Sequence, residues 1–251
     1  MDNAQDKSKL KFGLVGRNIS YSFSRGYFAD KFKSEGLPHS YVNFDLESIE
    51  ELKDIIENTS NLKGLNVTIP YKEEVIPLLD KLNKRAKKIG AVNTIKIKKG
   101  KLIGYNTDYY GFKNSLKPHL KKHHKRALIL GTGGASKAIA HALKKLNIER
   151  HYVSRTKKEG VTYTYSELTE EIINSFQVII NCTPIGTFPN VNECPNIPYK
   201  AITEQHILYD LIYNPEETKF LNYGNIKGAT TINGLEMLKL QAEKSWEIWN
   251  D

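Results

Sequence analysis

The stretch ALILGTGGASKAIA at 127–140 runs an apolar strand, a glycine-rich turn and a small-residue helix directly together, and it narrows the possible folds more than any other feature. A glycine turn with a strand before it and a helix after it is the arrangement of a Rossmann-type dinucleotide-binding unit. Its glycines allow the sharp turn and let backbone approach a pyrophosphate, which rests on the exposed amides at the helix N-terminus. The competing reading is a merely structural turn, because a glycine motif without its context is weak. The context extends over the whole chain. Strand-like and helix-like segments alternate from end to end, which predicts an α/β protein with mainly parallel sheets.

The expected elements of the first half are strands at Leu10–Gly16, Ser40–Leu46 and Leu62–Ile69, with helices at Ser24–Gly36 and Glu47–Asn58. Helical stretches are expected to about Ile89. A hairpin of Ala91–Lys98 and Leu102–Tyr105 follows, turned by Lys99 and Gly100. The second half is expected to hold strands at Arg126–Leu130, Glu149–Ser154, Gln177–Cys182, Ile207–Leu211 and Lys227–Ile232, with helices at Ala135–Leu146 and Gly234–Trp249. Boundaries near Asn106 and Asn233 divide the chain into a domain of residues 1–106 and 235–251 and a domain of residues 107–234. The terminal helix is expected to return to the first domain.

Composition removes several function classes. At 251 residues the chain holds one large or two modest domains. Its longest apolar runs are far short of the ~20 residues of a spanning helix, so no membrane role is expected. Residues Met1 to Leu10 are polar and lack the apolar core of a secretory signal. Two cysteines, Cys182 and Cys194, are too few for a disulfide scaffold and suit a reducing cytoplasm. The net charge of +9 raises the question of nucleic acid, but only six of the 37 basic residues are arginine, the residue that nucleic-acid readers favour. The densest run, Lys117–Arg126, reads as a helix end with a solvated connection, and no nucleic-acid partner is expected. Within it His119 and His123 have metal-ligand spacing if the helix persists, but the surrounding lysines argue against a metal. No sequence feature specifies an oligomeric state.

Cofactor choice should be written at the end of the strand after the glycine turn, where an acid would bind the ribose 2′-hydroxyl of NAD. Here the chain reads Ser154, Arg155, Thr156, Lys157, Lys158, with hydroxyls and cations suited to a 2′-phosphate. An exposed loop in a lysine-rich protein accounts for the lysines, but less well for Arg155. In the first domain, polar clusters close three strands: NVTIPYKE with Asn66, Thr68 and Lys72; GAVNT with Asn93; and GYNTD with Asp108. Such clusters beside a dinucleotide unit suggest a polyol-like substrate in an interdomain cleft.

These residues resemble the shikimate dehydrogenase family. The resemblance spans almost the whole chain through NVTIPYKE at 66–73, GAVNT at 90–94, NTD at 106–108, GTGGAS at 131–136 and SRT at 154–156. It continues in NCTPIG at 181–186, DLIYNPEETKFL at 210–221 and NGLEML before Gln241. It implies NADPH-dependent, reversible reduction of 3-dehydroshikimate to shikimate on the route to chorismate and aromatic amino acids, in the cytoplasm. Lys72 is then the catalytic lysine, with Asp108 as its paired carboxylate. Asn93 and Asp108 bind ring hydroxyls, Thr68 and Gln241 complete the substrate shell, and Ser22, Ser24 and Tyr213 take the carboxylate. Asn66 joins the substrate set as a support of the same loop. Gly131, Thr132, Gly133, Gly134, Ala135, Ser154, Arg155 and Thr156 hold NADP(H), with Leu211 and Gly234 beside the nicotinamide; no metal is implied. The chain departs from the family pattern at 16–29, where Asn18, Tyr21, Arg25, Phe28 and Ala29 stand at positions usually held by proline, histidine, proline, histidine and asparagine. Cys182 replaces a common alanine and reads as a small buried thiol without a redox role. Quinate dehydrogenase, or a dual quinate and shikimate enzyme, is the alternative within enzymes. A catalytically silent NADP-binding regulatory module is the alternative outside them.

Overall fold

The computed structural model describes residues 9–20 and 22–251. Contacts divide it into two units, one of residues 1–107 and 242–251 and one of residues 108–241. The first is built on β1 (Lys11–Gly16), α1 (Phe23–Ser34), β2 (Ser40–Asp45), α2 (Leu52–Asn58), β3 (Leu62–Val67), β4 (Lys81–Leu82), α3 (Lys84–Ile89), β5 (Thr94–Lys98) and β6 (Lys101–Tyr105). Its sheet has the order β2-β1-β3-β5-β6-β4. Strands β1, β2 and β3 are parallel, while β5 runs antiparallel to both β3 and β6, so this sheet is mixed rather than mainly parallel.

The second unit holds α4 (Asp108–Leu116), β7 (Arg126–Leu130), α5 (Gly134–Lys145), β8 (Glu149–Ser154), β9 (Tyr163–Thr164), α6 (Glu170–Asn174), β10 (Val178–Asn181), β11 (Ile207–Asp210), α7 (Lys219–Ile226) and β12 (Thr230–Ile232). Helix α8 (Leu235–Asn250) gives its first residues to this unit and residues 242–251 to the other. Every pairing in the second sheet is parallel, in the order β12-β11-β10-β7-β8-β9. That is the doubly wound Rossmann order, with the direction of strand addition reversing between β7 and β10. Ala127 to Leu130 and Val178 to Ile180 are fully buried because helices cover both faces of such a sheet, which is why these strands read as unbroken apolar runs.

Several expected segments are corrected. The stretch before Ile89 is a 3-10 turn at Ile76–Leu78, then β4, and only then a helix, because Lys81 and Leu82 pair with Ile103 and Gly104. Glu47–Asn58 opens as a 3-10 turn, and the strand expected from Ala91 begins at Thr94. The helix expected to run into the basic stretch ends at Leu116 with a 3-10 turn over Lys117–His119, so His119 and His123 do not share a helical face. Helices α4, α6 and α7 and strand β9 carry too little periodicity in the sequence to be read there.

The end of α8 is the centre of the first unit. Trp249 is 1% exposed and its ring centroid lies 4.9 Å from that of Phe12 and 5.4 Å from that of Phe28. Its indole Nε1 donates to the Ile95 carbonyl at 3.0 Å. The indole occupies the space above Gly64, where a Cβ would lie 2.2 Å from Nε1. Gly64→Ala therefore has to displace the indole from a full core and break a buried hydrogen bond, and it should lower unfolding free energy by about 2–3 kcal/mol. Both tryptophans, Trp246 and Trp249, lie in this unit, so urea unfolding followed by tryptophan fluorescence reads the effect directly. An unchanged midpoint would contradict this packing account.

Candidate active site

In the first unit the direction of strand addition reverses around β1, so the loops after β1 and β3 emerge side by side at the carboxyl ends of parallel strands, where open α/β sheets bind ligands. Their backbones are joined: Thr68 N–H donates to the Val15 carbonyl at 2.8 Å and Arg17 N–H to that of Ile69 at 3.2 Å. The loop after β1 turns through Asn18 at φ 56°. Asp45 then accepts from the N–H groups of Asn18 at 2.7 Å and Ile19 at 3.1 Å. A proline could supply neither that φ nor that donor, so the departure from the family pattern at residue 18 has a local replacement. Of the other departures, Arg25 and Ala29 are exposed on α1 and Phe28 is in its buried face, while Tyr21 lies outside the described residues.

Ser22 caps α1, its hydroxyl oxygen accepting from Arg25 N–H at 3.3 Å. Ser24 is buried within hydrogen-bonding reach of the Tyr41 hydroxyl. Thr68 and Lys72 are half-buried on the loop after β3. Two contacts fix that loop: the Tyr71 hydroxyl donates to the Leu46 carbonyl at 2.7 Å, and the Lys72 carbonyl accepts from Val92 N–H at 2.7 Å. The second contact ties the Lys72 backbone to the segment that carries Asn93. Asn93 is 3% exposed, and its carboxamide oxygen accepts from Thr107 N–H at 2.6 Å, anchoring the peptide before Asp108. Asn66 is equally buried, and its amide is occupied by protein groups. It accepts from the Tyr41 hydroxyl at 2.9 Å and donates to the Asn93 carbonyl at 3.1 Å, the posture of a support residue.

In the second unit the reversal point lies between β7 and β10, and Gly131 follows β7 there. Gly131 has φ 103°, and a Cβ on it would meet Thr183 Cγ2 at 3.0 Å, so only glycine passes between the two loops. Gly133 caps α5 without a side chain, and although the Ser136 N–H turns back to the Gly133 carbonyl at 3.0 Å, no capping side chain covers the amides of Gly134 and Ala135 at the N-terminus of a three-turn helix, where an anion is favoured. Thr132, Gly134 and Ala135 are half-buried beside it. Ser154 ends β8 on the neighbouring strand, and Arg155 and Thr156 follow it, both exposed. Lys157 is spent elsewhere, donating to the Thr162 carbonyl at 2.9 Å. An open cradle of amides flanked by an exposed arginine fits a dinucleotide with an extra phosphate.

Leu211 and Gly234 are brought together: a Cβ on Gly234 would lie 2.1 Å from the Leu211 carbonyl, and Gly234 N–H donates to the Ile212 carbonyl at 2.9 Å. Asp108 opens α4 and is 5% exposed, Tyr213 is half-buried after β11, and Gln241 is buried on α8 with its amide donating to the Leu238 carbonyl at 3.0 Å. Cys182 is half-buried rather than fully enclosed, and burial pushes its thiol well above the ordinary range, away from the reactive thiolate form.

One cluster was not found by reading the sequence. Asp210, fully buried at the end of β11, accepts from Thr218 Oγ1 at 2.7 Å, Asn181 Nδ2 at 3.1 Å and Ile212 N–H at 3.1 Å. Burial pushes its carboxyl up to about 6, against the pull of those three donors. Asn181 in turn accepts from the N–H and hydroxyl of Thr183 at 3.0 and 2.6 Å, so one carboxylate organises the loops after β10 and β11. The signal available in the sequence was an acid closing an apolar strand, which had no visible partner.

A family model described as the shikimate dehydrogenase substrate binding domain matches residues 14–95. The shikimate dehydrogenase (NADP(+)) of Methanosphaera stadtmanae is 38% identical over 94% of this chain and 90% of its own length, and that of Methanococcus maripaludis 40% over 97% and 91%. Among solved structures, shikimate dehydrogenase 1 of Peptoclostridium difficile superposes with a TM-score of 0.83 at 40% identity, covering 96% of this chain and 92% of that one. Shikimate 5-dehydrogenase of Thermus thermophilus, solved in complex with NADP(H) and shikimate, superposes with a TM-score of 0.84 at 30% identity, covering 96% and 93%. With identity of this degree along nearly its full length, the chain belongs to the shikimate dehydrogenase family.

Proposed function

We propose that this protein is an NADP-dependent shikimate dehydrogenase, reducing 3-dehydroshikimate to shikimate and running in reverse with NADP. The observation that carries this reading is the coincidence of two features in a chain of this family. A lysine stands on a braced loop at the carboxyl end of β3, and an open glycine cradle with Arg155 stands at the carboxyl ends of β7 and β8. In this reading residues 1–106 and 235–251 hold the substrate and residues 107–234 hold the cofactor. The two free cysteines suit a reducing cytoplasm, and the partner is a small molecule rather than nucleic acid. Among the described residues no helix is long and apolar enough to cross a membrane.

NADPH, when bound, supplies the hydride. Gly131, Thr132, Gly133, Gly134 and Ala135 hold its pyrophosphate, Ser154, Arg155 and Thr156 its 2′-phosphate, and Leu211 and Gly234 flank its ring. Reduction of a ketone leaves an alkoxide that must take up a proton; the Lys72 ammonium polarises the carbonyl, and Lys72 with its paired carboxylate Asp108 acts as one coupled group that supplies that proton. Asn93 and Asp108 hold ring hydroxyls, with Thr68 and Gln241 beside them. Ser22, Ser24 and Tyr213 bind the carboxylate. Asn66 supports the β3 loop.

Replacing Lys72 by Ala should lower kcat by about 10²- to 10⁴-fold while the KM for shikimate changes little, as expected of a group that acts on the proton in flight. Near-normal turnover in a folded Lys72→Ala protein would remove the lysine from its role. This is measured as NADP reduction with shikimate.

Charge-assisted bonds to one phosphate are worth about 1.5–3 kcal/mol each, so the wild-type protein should prefer NADP over NAD at least about tenfold in kcat/KM. Arg155→Asp should erase most of that preference. Equal efficiency of the wild-type protein with both cofactors would contradict the assignment.

Shikimate carries its carboxylate on a planar carbon, whereas quinate has a tetrahedral carbon with an extra hydroxyl there. An unpaired buried hydroxyl costs roughly 1–3 kcal/mol, so shikimate should be oxidised at least about ten times more efficiently than quinate. Because Ser22 also caps α1, alanine would mix two effects. Ser22→Asp keeps the cap but opposes the substrate carboxylate, so it should leave thermal stability near wild type while raising the KM for shikimate by about tenfold or more. Comparable rates with quinate, or an unchanged KM in Ser22→Asp, would place the carboxylate elsewhere.

A further inference from the structure

Beneath the end of β3 the first unit buries a group of polar side chains, none more than 7% exposed: Tyr41, Asn66, Asn93, Thr94, Thr107 and Ser245. Five come from the sheet or its loops, and Ser245 comes from α8. Three of them form a triangle of hydroxyls, with Thr94 to Ser245 at 2.8 Å, Thr94 to Thr107 at 3.2 Å and Thr107 to Ser245 at 3.2 Å. The triangle sits between two carboxamides. Asn66 Nδ2 donates to Ser245 Oγ at 3.0 Å, and Asn93 Nδ2 donates to Thr107 Oγ1 at 2.9 Å.

A carboxamide can rotate by half a turn and exchange donor for acceptor with almost no change of shape, so its neighbours must decide which end faces which way. Asn93 presents its oxygen to Thr107 N–H, an obligatory donor, and its nitrogen to the Thr107 hydroxyl. The Ser245 oxygen accepts from Asn66, so its one proton can turn to Thr94 at 2.8 Å, and the Thr94 hydroxyl then directs its own proton to the Asn93 oxygen at 3.2 Å, which the Thr107 hydroxyl also approaches at 3.2 Å. We propose that the Ser245 hydroxyl is a positioning residue: through Thr107 and Thr94 it fixes the orientation of the Asn93 carboxamide and so sets the affinity of the site for the hydroxyls of a polyol ring. This rests on the reading of Asn93 as a substrate-binding residue. It makes the last helix a part of the substrate site through one hydroxyl that touches no substrate.

The test is steady-state kinetics of shikimate oxidation in wild type, Ser245→Ala, Asn93→Ala and the double variant, with Thr94→Val as a second removal of the triangle. One hydrogen bond's worth of positioning predicts a rise of about 3- to 10-fold in the KM for shikimate in Ser245→Ala, with kcat held within about twofold. The KM for NADP should stay at the wild-type value, a separation that general loosening of the fold would not produce. In the Asn93→Ala background Ser245→Ala should add less than about twofold, because the residue it acts through is gone. Thr94→Val should repeat the signature of Ser245→Ala. The proposal is overturned if both triangle variants leave the shikimate KM unchanged, if the effect persists undiminished without Asn93, if the KM values of substrate and cofactor rise together, or if neither triangle variant folds. A wild-type protein that does not oxidise shikimate would overturn the functional reading itself and this proposal with it, an outcome separable from the others because it is read before any substitution.

Discussion

The first unit depends on one indole. Trp249 fills the hollow above Gly64, packs at a tilt against Phe12 and Phe28, and spends its one polar atom on the Ile95 carbonyl. A tryptophan buries a large apolar area but needs a partner for its N–H when buried, and few places in a sheet offer both. This one exists because Gly64 leaves out a side chain on β3 while the Ile95 carbonyl of β5 turns toward the gap. The contact spans 154 residues of chain and fixes where α8 lies on the sheet. That placement brings Ser245, one turn earlier on the helix, into the buried group beneath β3.

Each unit uses the same device to bring polar loops together at strand ends. A parallel sheet that reverses its direction of strand addition leaves two loops diverging at the carboxyl ends of adjacent strands, and polar groups on those loops have no competing secondary structure to join. In the first unit the loops are those after β1 and β3, joined through the backbones of Thr68 and Arg17, with Asp45 holding the first of them. In the second they are the loops after β7 and β10, kept close by the missing side chain at Gly131. The two units brace their loops differently. In the first, the exposed Asp45 carboxylate holds the loop after β1 and buried hydroxyls and carboxamides hold the groups beneath β3, whereas in the second the buried Asp210 carboxylate gathers three donors.

The glycine turn, the apolar strands around it and the polar clusters closing strands were all legible from residue order, because each is a local pattern of period or of turn chemistry. So was Arg155 in the loop after β8, since a missing acid can be read as clearly as a present one. The segment before Ile89 was not legible: Lys81 and Leu82 become a strand only because Ile103 and Gly104 lie beside them. The same holds for α4, α6 and α7, whose short lengths carry little periodicity.

The candidate residues of the loops could be located from the sequence: Lys72, Asn93 and Arg155 stand where motif and strand end coincide, and no long-range partner is needed to locate them. What only tertiary structure decided is which groups hold them still. Ser22 proves to be a helix cap, Asn66 an amide committed to protein partners, and Asp210 a buried carboxylate pushed up to about 6. Ser245 is an unremarked serine in a helix until folding sets it beside Thr94 and Thr107, more than a hundred residues earlier in the chain. The physical reason is the range of the interaction. A turn or a period acts between neighbours in sequence, whereas a buried hydrogen bond selects its partner by distance in space.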